Sequence, residues 1–188
     1  MKHIAFTAAA LLSASAATSA QAANGTITFT GEIINNTCPV SAGETTPVSA
    51  DYTVNMGKVQ ASAMNNAASD RRSRQSLFTI FVGGGNGTGC AGLSEASVHL
   101  DARSDTVGAG YLPNLAAAAT RADNVGVVVF AESTANAVDM SVGHSTAFKP
   151  ISDSVQAQYR FWGAMQGYAQ ATTAGMVNTN LTYTVNYQ

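Results

Sequence analysis

Charged residues and long apolar runs are both scarce in this chain of 188 residues. Asp, Glu, Lys and Arg together make up 11% of it, and the formal net charge is −2. A nucleic-acid partner requires a basic face, so this balance argues against one. The longest apolar run, residues 4–12, is too short to cross a bilayer. The sequence therefore predicts one domain without nucleic-acid binding or direct membrane insertion.

Motifs of catalytic and metal-binding sites are also lacking. The sequence contains no GxSxG elbow, HExxH helix, paired-carboxylate motif or EF-hand loop. The glycine-rich stretch 83–89 lacks the Lys-Ser/Thr ending of a phosphate-binding loop. Beyond His3 the histidines are His99, predicted to face outward from a strand, and His144, in a predicted turn. We expect no enzyme activity, no metal and no cofactor.

The N-terminus has the features of a secretory signal. Lys2 supplies a positive charge, residues 4–12 are apolar, and Ala20-Gln21-Ala22 is a cleavage site of the small-x-small type. Residues 1–22 are thus predicted to be removed, so that the mature chain begins at Ala23. An uncleaved N-terminal anchor is the alternative.

Only two cysteines are present, Cys38 and Cys90. In an exported chain an even number of cysteines indicates a disulfide. This one would close a loop of about 50 residues, for which chain entropy predicts roughly 4 kcal/mol of stabilisation. Free thiols or half of a metal site are the alternatives, although no CxxC motif supports them.

Period-two alternation recurs along the chain and predicts β-strands. Gly25, Ile27 and Phe29 point one way at the start of the mature chain, and the intervening threonines point the other. This segment is either the first strand of its own domain or a strand that joins the sheet of another molecule.

Further strands are predicted at residues 53–56, 76–82, 96–100, 125–130, 155–161 and 177–187. Residues 60–75 are predicted to be a surface loop with room for one helical turn. Short strands without a long helical pattern indicate an antiparallel sandwich.

These segments, in this order, resemble the subunits of chaperone–usher fimbriae, of the type 1 major-pilin kind. The resemblance rests on Gly25-Thr-Ile27-Thr-Phe29-Thr-Gly31-Glu-Ile33 before Cys38, and on Val54-Asn-Met56-Gly57-Lys-Val59. It rests further on Cys90, on Asn124-Val-Gly126-Val127, and on an ending with Gly175 fourteenth and Tyr187 second from the C-terminus. Each element alone is weak evidence for the family. Together, in this order, the elements cover nearly the whole mature chain.

The resemblance implies an all-β fold, an incomplete immunoglobulin-like antiparallel β-sandwich that a strand from another subunit or a chaperone completes. Residues 23–30 would be the donor extension and 31–188 the pilin domain. The donor side chains would be Ala23, Gly25, Ile27 and Phe29. The groove and chaperone-binding edge would comprise Gly175, Val177, Leu181, Tyr183, Val185 and Tyr187.

The implied function is that of a structural subunit of an extracellular adhesive fimbria, exported through the periplasm. The implied partners are other pilin subunits, a periplasmic chaperone, an outer-membrane usher and a host surface receptor reached through the fibre. A minor or adaptor pilin is one alternative. A secreted single-domain glycan-binding adhesin module is another.

Overall fold

A computed structural model of the chain describes residues 38–65, 73–84, 89–132, 136–168 and 171–188. Within these ranges the regular structure is β-strand, apart from one 3-10 turn at Ala63–Asn65 in the predicted loop. The signal segment and the predicted donor strand lie outside the described residues. No helix in the described part of the chain is long and apolar enough to cross a membrane.

The larger sheet contains the long strands. The strands are β1 (Val40–Gly43), β2 (Ser76–Gly83), β4 (Leu112–Pro113), β5 (Val125–Ala131), β6 (Ala137–Val138) and β9 (Gln156–Gly167). Their order is β1-β2-β9-β5-β4, β6 also pairs with β5, and all pairs are antiparallel. The predicted strands at 76–82, 125–130 and 155–161 are confirmed as β2, β5 and part of β9.

The smaller sheet is built around β3. Its strands are β3 (Glu95–Leu100), β7 (His144–Ser145), β8 (Lys149–Pro150) and β10 (Tyr183–Tyr187). Both β7 and β8 pair along one edge of β3, and β10 pairs along the other. The second edge of β10 has no neighbouring strand in the described part of the chain.

The main core lies between the two sheets. Alternate residues of the longer strands face it, and they include Ile80, Val98, Leu100, Tyr159 and Phe161. All seven residues of β5 are buried because its two faces are both covered. Val127 and Val129 join the main core, whereas Val128 and Phe130 pack against Ala164 on the other face. The continuous apolar run predicted this two-sided burial.

A disulfide joins Cys38, just before β1, to Cys90, just before β3. Both cysteines are buried in the main core, so the bond connects the approaches to the two sheets. The described part of the chain has no free cysteine. The predicted pairing is thus present in the structure.

Three predictions of local structure need correction. Residues 53–56 form no strand, and the predicted strand 177–187 is regular only from Tyr183 onward. Alternation was present in both segments, but a strand also requires a hydrogen-bonded neighbour, and the described residues supply none beside 53–56. His144 lies in β7 rather than in a turn, because it pairs with Leu100.

Candidate functional site

A groove of about 480 Å³ opens beside the core, between residues 50–56 and residues 177–183. Side chains of both sheets line its apolar inner surface, among them Phe78, Ile80, Leu100, Val127 and Val129. These side chains belong to the main core or pack against it. The groove therefore gives access from outside to the space between the sheets.

The two walls of the groove keep the period of β-strands. On one wall Tyr52, Val54 and Met56 are half-buried, and the residues between them are exposed. On the other wall every odd-numbered residue from Val177 to Tyr187 is half-buried, and every even-numbered one is exposed. Such alternation is typical of strands with one face on a core. Residues 51–57 nevertheless make no backbone–backbone hydrogen bond to another described residue.

The backbone of β10 leaves one edge unpaired. Gln188 and Glu95 exchange both of their N–H to O=C bonds, at 3.0 Å each. In an antiparallel ladder every second pair is bonded in this way, so Asn186 and Thr184 also bond to β3. The backbone groups of the alternate residues Tyr183 and Val185, like those of Tyr187, therefore point to the open edge. That edge can accept a further strand.

Two tyrosines connect this edge to backbone carbonyls outside the smaller sheet. The Tyr183 hydroxyl donates to the carbonyl oxygen of Ala50 at 2.9 Å, and the Tyr187 hydroxyl to that of Cys38 at 3.5 Å. Burial raises the pKa of both phenols, so they remain neutral donors at physiological pH. The tyrosines thus hold β10 near the larger sheet without closing the groove.

A sequence profile of the family described as Fimbrial protein matches residues 27–188. The chain belongs to this family. Two solved structures also resemble it. One is a chaperone-usher pilus studied for rod uncoiling, 17% identical, with a TM-score of 0.54, covering 89% of this chain and 97% of the other. The second is the P pilus rod subunit PapA, 15% identical, with a TM-score of 0.55, covering 80% and 99%. A search of curated proteins finds no match.

Membership establishes the general role of the chain. It is a structural subunit of an extracellular pilus, which associates with other pilin subunits, and it is not an enzyme. The two solved structures share its fold, the incomplete immunoglobulin-like sandwich of pilins. The predicted family and fold class are therefore confirmed.

The structure of this fimbrial subunit brings three of the predicted edge residues to the groove. Val177, Leu181 and Tyr183 line it. Val185 and Tyr187 continue the same face of β10 and pack against the core, but they lie beyond the groove. Their roles in binding remain predictions, as do those of Ala23, Gly25, Ile27 and Phe29, which lie outside the described residues.

Gly175 lies outside the groove, where two backbone segments approach each other closely. A Cβ atom there would be 2.4 Å from both the Ala122 nitrogen and the Arg121 carbonyl carbon. The next residue, Met176, donates to the Thr120 carbonyl at 2.7 Å and accepts from Ala122 at 2.9 Å. Glycine is required here because no side chain fits between the two backbone segments.

Sequence reasoning missed two features of the site. Thr179 lines the groove, and its buried hydroxyl has no hydrogen-bond partner among the described residues. Its place in the alternating run 177–187 was the available signal. The wall at residues 50–56 was missed because the same alternation was interpreted as a paired strand.

The histidines of the described chain lie away from the groove. His99 Nδ1 is 2.8 Å from the Ser145 hydroxyl on the neighbouring strand. The buried Nε2 of His144 has no partner among the described residues, and burial together with nearby His99 lowers the pKa of His144. The described residues contain no cluster of three potential metal ligands.

Proposed function

We propose that this fimbrial subunit polymerises by donor-strand exchange, with the groove accepting the N-terminal extension of a second subunit. The observation that carries the proposal is the coincidence of an open backbone edge with an apolar groove that leads into the core. An added strand would pair with the edge through its main chain and place alternate side chains in the groove.

The N-terminal sequence has the pattern that this groove requires. In a strand, Gly25, Ile27 and Phe29 would share one face, and burying Ile27 or Phe29 would contribute roughly 1.5–3 kcal/mol each. As a strand, residues 23–30 would span about 26 Å at about 3.3 Å per residue. The edge from Val177 to Tyr187 extends about 36 Å on the same basis. The donor therefore covers most of the edge and leaves one end uncovered.

The division of the chain follows from this mechanism. Residues 1–22 direct export to the periplasm and are removed, residues 23–30 donate, and residues 31–188 form the accepting domain. In the periplasm a chaperone lends a strand to the same edge, and an outer-membrane usher replaces it with the extension of the next subunit. Because each contact is heterologous and does not close, the product is a filament.

Both solved structures come from pilus rods, which favours the rod over a minor or adaptor position. Host receptors are reached through the completed fibre.

The experiment compares three substitutions in the extension. Ile27→Asp and Phe29→Asp place a charge in the groove, whereas Thr28→Asp, the matched control, places it on the opposite face. We expect the first two variants to accumulate with a chaperone but to form no fibres, as observed by electron microscopy. The reason is that burying an unpaired carboxylate is energetically costly. The control should assemble. Normal fibre yield from both groove-facing variants would contradict the proposal.

A further inference from the structure

The groove wall at residues 177–182 has the shape of a strand but lacks a strand partner on either side in the described structure. It continues β10 without a break in its alternation, so its odd-numbered side chains face the groove. Its even-numbered residues are bonded on the side away from the groove. Thr182 accepts from the Asp101 N–H at 3.1 Å, just beyond the end of β3. Asn178 and Asn180 lie beyond the reach of β3.

Two adjacent residues take the place of a neighbouring strand at Asn178. The Leu115 N–H donates to the Asn178 carbonyl oxygen at 2.6 Å, and the other contacts come from the side chain of Asn114. Its Oδ1 accepts from the N–H groups of Asn178 at 3.0 Å and Ala116 at 3.1 Å. Its Nδ2 donates to the carbonyl oxygens of Met176 and Ala122, both at 2.8 Å. One amide thus makes four hydrogen bonds and joins the beginning of the edge to two other backbone segments.

Arg103 takes the same place at Asn180. Its Nη1 donates to the Asn180 carbonyl at 3.0 Å and to the Asn180 Oδ1 at 2.6 Å. The remainder of the guanidinium is held by Asp105, through Nε at 2.8 Å and Nη2 at 2.7 Å. This two-point contact fixes the plane of the guanidinium, so that Nη1 is directed at the edge.

We propose that Asn114 and Arg103 are positioning residues, which hold residues 177–182 in the form of a strand before a donor arrives. The inference rests on the proposed function of the groove and adds the means by which the groove keeps its shape before binding. Val177, Thr179 and Leu181 face the groove only if the backbone bonds of their neighbours stay on the other side. When the edge is already ordered, binding does not require a further loss of its conformational entropy. These contacts therefore raise the association rate.

The test measures association and dissociation of a fluorescent synthetic peptide of residues 23–31 with the full chain. The variants are Asn114→Ala and Arg103→Ala. The matched control is Arg160→Ala, since Arg160 contacts Glu132 on the larger sheet, at 3.7 Å. We expect the association rate constant to fall about fivefold or more in both variants, as the fraction of competent edge decreases. The dissociation rate should change less than twofold, and the control should bind as the wild type does.

Two further readouts distinguish positioning from a general loss of stability. Without peptide, amide hydrogen exchange at Asn178 should become faster in Asn114→Ala, while exchange in β5 stays unchanged. Arg103→Lys should recover part of the association rate, because lysine can donate to the Asn180 carbonyl but cannot bind Asp105 at two points. If Asn114→Ala does not fold, the arginine variants decide the question.

The possible failures are separable. Wild-type association rates in the arginine variants would overturn the assignment of Arg103, and the same result in folded Asn114→Ala would overturn that of Asn114. Equal changes in association and dissociation would indicate a merely structural role and would also overturn it. If the wild-type chain itself does not bind the peptide, the proposed function fails, and the positioning role fails with it.

Discussion

Gly175 lies where the C-terminal segment and residues 121–122 come closest, and its substitution tests how rigidly the edge is attached. We expect Gly175→Ala to destabilise the chain by at least about 2 kcal/mol, because the new methyl group would force the two backbones apart. This displacement would also break the hydrogen bonds that Met176 makes with Thr120 and Ala122. Urea unfolding measures the difference.

Gly163→Ala is the matched control for this change. The nearest atom to a Cβ at Gly163 is a methyl carbon of Val127, 4.0 Å away, so the added group has room. The control should be neutral or stabilising by up to about 1 kcal/mol, since alanine restricts the unfolded chain. Equal stability of the two variants would contradict the close contact at Gly175.

Thr179 offers a second test at this scale because its hydroxyl is buried without a partner among the described residues. Thr179→Val keeps the shape of the side chain and removes the unpaired group. We expect it to stabilise the unoccupied chain by about 1 kcal/mol in urea unfolding. In Thr184→Val, the control, an exposed hydroxyl bonded to Asp101 at 3.2 Å is lost, and no stabilisation should follow. A Thr179→Val variant less stable than the wild type would show that the hydroxyl is paired in solution.

At the scale of elements, the strands that could be predicted are those whose pattern is fixed by burial alone. β5 is apolar throughout because both of its faces are covered, and β9 alternates where one face is covered. Residues 53–56 carry the same signal, yet whether they pair depends on a neighbour that their own sequence cannot specify. β4, β6, β7 and β8 span two residues each, too few to display a period.

The open edge of β10 predicts a difference between adjacent positions. The N–H of Val185 points to the open edge, whereas that of Asn186 bonds to β3. Proline lacks this donor and is tolerated in a strand only where the N–H is unpaired. We expect Val185→Pro to lower the melting temperature much less than Asn186→Pro and to weaken binding of the 23–31 peptide. A reversed order of melting temperatures would mean that β10 pairs with β3 in the other register.

At the scale of the molecule, the sequence indicated the side chains of the site but not what supports them. The alternation from Val177 to Tyr187 predicted a strand, and the resemblance to chaperone–usher pilins made that strand one wall of a groove. Asn114 and Arg103 carry no such pattern, because their importance arises from loops that meet residues 178 and 180 only in the folded chain. Contacts of this kind, between residues more than 60 positions apart, follow from the tertiary structure alone.

The disulfide gives the last prediction, which concerns the stability of the whole subunit. It joins cysteines 52 positions apart, and for a loop of this size chain entropy predicts a contribution of about 4 kcal/mol. The free energy of unfolding of a natural domain is only about 5–15 kcal/mol, and a subunit with an open groove lacks part of its core. We therefore expect Cys38→Ser with Cys90→Ser to melt far below the wild type, and reduction of the wild type to have a similar effect.

The same double variant also connects the disulfide to the groove. Adding the 23–31 peptide should recover part of the lost melting temperature, because a ligand that binds only the folded state stabilises it by mass action. A scrambled peptide is the control. Unchanged melting without the disulfide would mean that the two sheets hold together without it. If both peptides raise the melting temperature equally, the gain does not come from the alternate side chains of the donor. A groove that accepts this donor strand must distinguish the native peptide from the scrambled one.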